Sequence, residues 1–186
     1  MTEAAPLDFR ALWAGAIPYE RFVQESEQNR PLWEGIYRTA NIPEWAIADA
    51  CREAARVRIL AIVEDWCGDA SNTVPVLARL GREASCLEMR VVRRDEHPLV
   101  MDRYLTNGSR SIPIVILLDA AFREIGHWGP RPSELQAWVM EHKGRIPKNE
   151  LYPQVRRWYA KDRGRTTLRE VLGLLPRLLP QNVHCE

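Results

Sequence analysis

Val57-Arg58-Ile59-Leu60-Ala61-Ile62-Val63-Glu64-Asp65-Trp66-Cys67-Gly68-Asp69-Ala70-Ser71 decides how the rest of the chain is read. Its first half is a nearly unbroken aliphatic and β-branched run, the pattern of a strand buried on both faces. The next segment, 67–82, brings Val74, Leu77 and Leu80 to one side of a helix. Cys67 therefore stands where a buried strand hands over to an amphipathic helix. A thiol at a helix N-terminus faces unpaired N–H groups and the positive end of the helix dipole, and both favour the thiolate nucleophile. Gly68 lets a partner's backbone come close. Pro75 lies inside the helix, where proline kinks the backbone at a cost of about 3 kcal/mol.

Outward from this stretch the pattern continues. Upstream, 19–39 reads as helix broken near Arg30-Pro31, and Pro43 opens a second helix through about residue 55. Downstream come a strand at 86–93, a short helix at 99–105, and a turn at Asn107-Gly108. A strongly apolar strand at 112–118 and its hairpin mate at 122–127 follow. Ser133 is expected to cap a helix running to 142. Two arginine-rich helices, 152–161 and 166–179, complete the chain. The order predicts an α/β fold with a central mixed sheet, because parallel β-α-β crossovers bury their strands. Periodicity alone also admits another small α/β sandwich.

Composition narrows the function. The 186 residues are 46% hydrophobic and 27% charged, with a net charge of +1. That balance offers no global field for nucleic acid or an anionic membrane. No apolar run approaches a membrane span, and the N-terminus lacks the basic start and apolar run of a secretory signal. Cysteines at 51, 67, 86 and 185 are too scattered for a disulfide scaffold or zinc knuckle, so no metal or cofactor is expected and a cytoplasmic, reducing setting is the default. Cys51 and Cys86 read as small buried hydrophobes. Arg156, Arg157, Arg163, Arg165 and Arg169 read as a solvated helix face, with Asp162 and Glu170 nearby.

Trp66-Cys67-Gly68, with Pro75 eight residues after the cysteine, resembles the active-site motif Trp-Cys-Gly-Pro-Cys of the thioredoxin superfamily. Ser111-Ile112-Pro113 before Ile114-Val115-Ile116-Leu117 resembles that family's cis-proline element, which faces the cysteine. The resemblance covers about residues 56–143 and implies a thioredoxin fold there. It leaves 1–55 as a helical extension packed on the core and 144–186 as a second helical extension with a tail. More narrowly, Glu64 to Asp69 and Met101 to Gly108 are similar to a poorly characterised bacterial group of thioredoxin-like proteins with a Cys-x-x-Ala motif. The implied site is Cys67 and Pro113, with Trp66, Gly68, Asp69, Ala70 and Ile112 around them. Trp66 is expected to be a partly exposed platform, and Gly129 to match the glycine beside the family's groove.

The departures from the family matter as much. Ala70 stands where the second cysteine would be, so no disulfide can close within the motif. Asp69 replaces the motif proline, and its carboxylate would oppose ionisation of the thiol. Ala61 occupies the place of the buried proton-relay aspartate; Glu64 or Asp65 could substitute, or be solvated charges at the strand end. His127 reads as a surface histidine, with tuning of Cys67 as the sharper option. Cys185, near the end of the chain, could resolve a mixed disulfide or be an idle thiol. The expected function is a monothiol thiol–disulfide oxidoreductase acting on protein or small-molecule disulfides and thiols, with an external thiol for resolution. The alternatives are a non-catalytic binding module, and iron–sulfur or glutathione binding like that of monothiol glutaredoxins.

Overall fold

The aliphatic run is strand β2 (Val57–Val63), the middle of a sheet whose other members pair on both of its edges. In this computed structural model, which describes residues 6–52 and 56–176, the chain first forms α1 (Phe9–Gly15), β1 (Ile17–Pro18), α2 (Tyr19–Glu25), α3 (Arg30–Thr39) and α4 (Glu44–Ala50). After β2 come α5 (Gly68–Glu83), β3 (Leu87–Arg93), α6 (Pro98–Met101), β4 (Ile114–Leu118) and β5 (Glu124–Trp128). Helices α7 (Ser133–His142), α8 (Lys148–Asp162) and α9 (Arg165–Leu172) follow. The sheet order is β1-β3-β2-β4-β5. Strands β2 and β3 are parallel, and every other pair is antiparallel. This is the mixed, helix-flanked α/β sheet of a thioredoxin-like fold.

Period-two alternation divides β4 between two cores. Ile114, Ile116 and Leu118 join Trp13, Phe22 and Trp33 on one face; Val115 and Leu117 join Leu77, Leu80 and Leu168 on the other. Helices α1 and α2 and Trp33 of α3 thus join the first core and α4 and α9 the second, while α5 contributes to both, through Ala70, Val74 and Ala78 on one side and Val76, Leu77 and Leu80 on the other. A third cluster, Leu135, Val139, Val155 and Tyr159, ties α8 to α7.

Several expectations need correction. Residues 19–39 are split as expected into two helices, but the break falls just before Arg30, with Asn29 in the left-handed conformation and Pro31 in the first turn of the second helix. The strand expected at 112–118 begins at Ile114, since Pro113 has no N–H to give a sheet ladder. A short strand not expected from the sequence, Ile17–Pro18, pairs antiparallel with β3 ahead of the core. Ser133 is not the cap of α7: it lies inside the first turn, and Pro132 holds the cap position. The N-terminus is served instead from α9, where Glu170 accepts from Ser133 N at 2.9 Å and from Ser133 Oγ at 2.5 Å. The last helix ends at Leu172, with Gly173 as its C-cap, short of the expected extent to residue 179; residues 177–179 lie outside the described residues.

The largest correction concerns cysteine. Cys51 and Cys86 form a disulfide. Parallel pairing explains the meeting: Val57 pairs with Leu87, and Val57 N donates to Cys86 O at 3.0 Å. Both strands start at the same end of the sheet, so Cys51 at the end of α4 arrives beside Cys86. Spacing along the chain carries no sign of this, because the partners are 35 residues apart.

Candidate active site around Cys67

Cys67 is the N-cap of α5, and its backbone carbonyl accepts from Ser71 N at 3.0 Å. Its Sγ accepts from Ala70 N at 3.5 Å and donates to Ile112 O at 3.4 Å. Ile112–Pro113 is a cis peptide, so the element expected from the resemblance stands directly against the thiol. Gly129 backs it. With φ at +135°, a Cβ on Gly129 would lie 2.1 Å from the Pro113 carbonyl oxygen, so only glycine fits there.

The thiol is 7% exposed. Burial is the main cause that pushes its pKa up from 9.0 to about 11; the Ala70 N–H opposes the rise, the Asp69 carboxylate adds to it, and Arg131 opposes it. The helix N-terminus does favour the thiolate, as the sequence suggests, but removal from water outweighs it. At neutral pH Cys67 is therefore a thiol.

Asp69 is held from two sides. Arg131, just after β5, approaches its Oδ2 to 2.5 Å, and Tyr159 on α8 donates its hydroxyl to Oδ1 at 2.9 Å. Arg131 also donates to Gln136 at 2.8 Å. Neither Arg131 nor Tyr159 can be found from the motif. Each reaches Asp69 only through packing, although the aromatic and apolar positions of α8 do signal a buried face.

Glu64 and Asp65 are not solvated charges. Glu64 accepts from Asp95 N at 2.9 Å, and its pKa is raised by burial. Asp65 Oδ2 accepts from Glu27 N at 2.8 Å and Gln28 N at 3.0 Å, while its carbonyl accepts from Trp33 Nε1. These bonds tie the α2–α3 turn to the end of β2. Both carboxylates have structural partners, and neither contacts the Cys67 sulfur. His127 pairs with Glu124 at 2.9 Å and meets Tyr104 edge-on; it does not line the cleft over Cys67.

That cleft has a volume of about 460 Å³ and includes Trp66, Cys67, Gly68, Asp69 and Ile112. Trp66 is 41% exposed, with Arg94 over its ring at 4.9 Å. The far wall is α8, through Tyr152, Val155, Arg156 and Tyr159. Arg156 is exposed, as expected of a solvated helix face, and that face borders the cleft. Ala70 and Pro113 are buried beneath it. Among the described residues no cluster of His, Cys, Asp or Glu could hold a metal ion, and no helix is long and apolar enough to cross a membrane. Cys185 lies outside the described residues.

A family model described as Thioredoxin matches residues 16–145. Among solved structures, the chain is similar to a protein of unknown function from Pseudomonas aeruginosa, PA1234, with a TM-score of 0.74 and 17% identity over 91% of this chain and 97% of that one. It is also similar to an HIV epitope scaffold, with a TM-score of 0.71 and 16% identity over 90% of this chain and 97% of that one. At such identities the likeness concerns the fold alone. No curated protein matches.

Proposed function

This chain belongs to the thioredoxin family, and from that premise we propose that Cys67 is the single nucleophile of a thiol–disulfide exchange reaction. One observation carries the reading: Sγ lies 3.4 Å from Ile112 O, beside a cis-proline, in a cleft of about 460 Å³. In the reaction the Cys67 thiolate attacks one sulfur of a disulfide. A bond forms between Sγ and that sulfur, the old S–S bond breaks, and the departing thiolate takes up the proton that Cys67 lost. Ala70 offers no second thiol, so an external thiol attacks the mixed disulfide, forms a new disulfide and returns Cys67 to its starting state. One thiol and one disulfide exchange partners, with no net oxidation.

Position supports this reading more than activation does. With a pKa of about 11, roughly one thiol in ten thousand is ionised at pH 7. The thiolate fraction falls about a hundredfold relative to a pKa of 9.0, while the higher basicity returns a factor of about six to ten in nucleophilicity. The resting site is thus roughly tenfold slower than an unperturbed thiol. The same burial favours a second reading, a binding module that has kept the cleft without the chemistry.

Exposure to bis(2-hydroxyethyl) disulfide, followed by mass spectrometry, separates the two. Exchange predicts an adduct on Cys67 that added thiol releases. Its rate should climb about tenfold per pH unit, with no plateau below about pH 11. A native protein that stays unmodified in alkali, but reacts once denatured, is a binding module. As for location, disulfides persist in oxidising compartments. The Cys51–Cys86 bond therefore argues for an oxidising setting over the cytoplasm suggested by the sequence.

A further inference from the structure

The cleft over Cys67 is far more basic than the chain that builds it. Arg94, Arg110, Arg131 and Arg156 line it, against the single carboxylate of Asp69, while the chain as a whole carries a net charge of +1. The four guanidinium groups are not equivalent. Arg131 is taken up by Asp69. Arg110 makes a two-pronged pair with Asp102 at 2.7 and 2.8 Å, and Arg94 donates to Asp95 at 2.8 Å. Asp95 and Asp102 lie outside the cleft lining and are exposed, and solvent-exposed pairs of this kind hold weakly, so an anionic ligand can compete for Arg94 and Arg110. The side chain of Arg156, exposed on α8, has no ion pair or hydrogen bond among the described residues. Trp66 adds an exposed aromatic face beside Arg94.

We propose that this cleft selects small thiols and disulfides that carry carboxylates, with Arg156 and Arg94 taking the anionic groups while the sulfur lies toward Cys67. The volume falls in the range of small-molecule sites, about 300–1,000 Å³. Helix α8 walls off one side, which suits a compact ligand better than a long extended chain. The sulfur part of the proposal rests on Cys67 acting in exchange; the recognition of charge does not.

Three disulfides of similar size and different charge test it: anionic dithiodipropionate, neutral bis(2-hydroxyethyl) disulfide and cationic cystamine. Adduct formation on Cys67 is timed for each, with the native protein and with Arg156→Gln and Arg156→Lys. A charge pair at contact distance in water is worth about a factor of five. Arg156→Gln is therefore expected to lower the ratio of anionic to neutral rates about fivefold; Arg156→Lys should restore most of it, and high salt should erase the preference. A ratio that ignores both substitution and salt overturns the proposal.

A second measurement keeps the two readings apart. Thiodipropionate, a thioether that cannot exchange, is titrated calorimetrically into Cys67→Ser with and without Arg156→Gln. Binding that Arg156→Gln weakens, together with no adduct from any disulfide, supports anion recognition and ends the exchange reading. Adducts from all three disulfides at charge-independent rates, with no thiodipropionate binding, end anion recognition and keep exchange.

Discussion

Within a few ångströms of the Cys67 sulfur, two opposing effects decide its ionisation. The helix start supplies the Ala70 N–H, yet loss of water dominates and the pKa rises to about 11. Asp69 adds to the rise, although Arg131 and Tyr159 hold its charge in place. Asp69→Asn removes that charge and releases Arg131 to favour the thiolate. The thiol pKa of this variant should fall, and alkylation by iodoacetamide at about pH 8 should quicken about three- to tenfold. An unchanged rate would mean that burial alone controls the sulfur. The opposition of Asp69 to ionisation was legible in the sequence, since the two residues are near neighbours at a helix start. Its extent was not, because burial depends on what α8 and the cis-proline loop bring over the sulfur.

At the level of elements, the site depends on the loop after β5 as much as on α5. Gly129 lies with φ at +135°, and any Cβ there would sit 2.1 Å from Pro113 O. Gly129→Ala should cost at least about 2 kcal/mol in urea denaturation, through backbone strain and displacement of the cis-proline segment. A loss below about 0.5 kcal/mol would show that the loop moves freely away from Pro113. The link from α8 to α9 has a similar constraint: a Cβ on Gly164, where φ is +78°, would come within 2.7 Å of the Val76 methyl groups. Without a side chain, Gly164 lets the α8–α9 link lie close against Val76 of α5. The sequence showed these helices as arginine-rich with a solvated face, yet gave no sign that Arg156 lines a cleft. A helix's own pattern tells which side is apolar, not what its polar side meets.

Across the whole molecule, the Cys51–Cys86 disulfide closes a segment of 35 residues that includes all of β2 and α5. Loop-closure arguments put its contribution at about 2–4 kcal/mol. The double variant Cys51→Ala/Cys86→Ala should lose that much in chemical denaturation. Its Cys67 adduct chemistry should be intact, because neither cysteine lines the cleft. Equal stability with and without reductant would show that the bond contributes nothing.

The sequence by itself determined the sheet's central strands, the helix that Cys67 opens and the lack of a second thiol at Ala70, while the cis-proline element was implied only by its resemblance to a family. Those features are written in local periodicity and in a motif a few residues long. Only the tertiary structure decided that the thiol is buried and protonated, that Asp69 is clamped by Arg131 and Tyr159, that Glu64 and Asp65 hold backbone together, and that Cys51 reaches Cys86. Each of these is a contact between segments distant in the chain. Burial and pairing of that kind arise from the register and packing of the whole sheet, which no single stretch encodes.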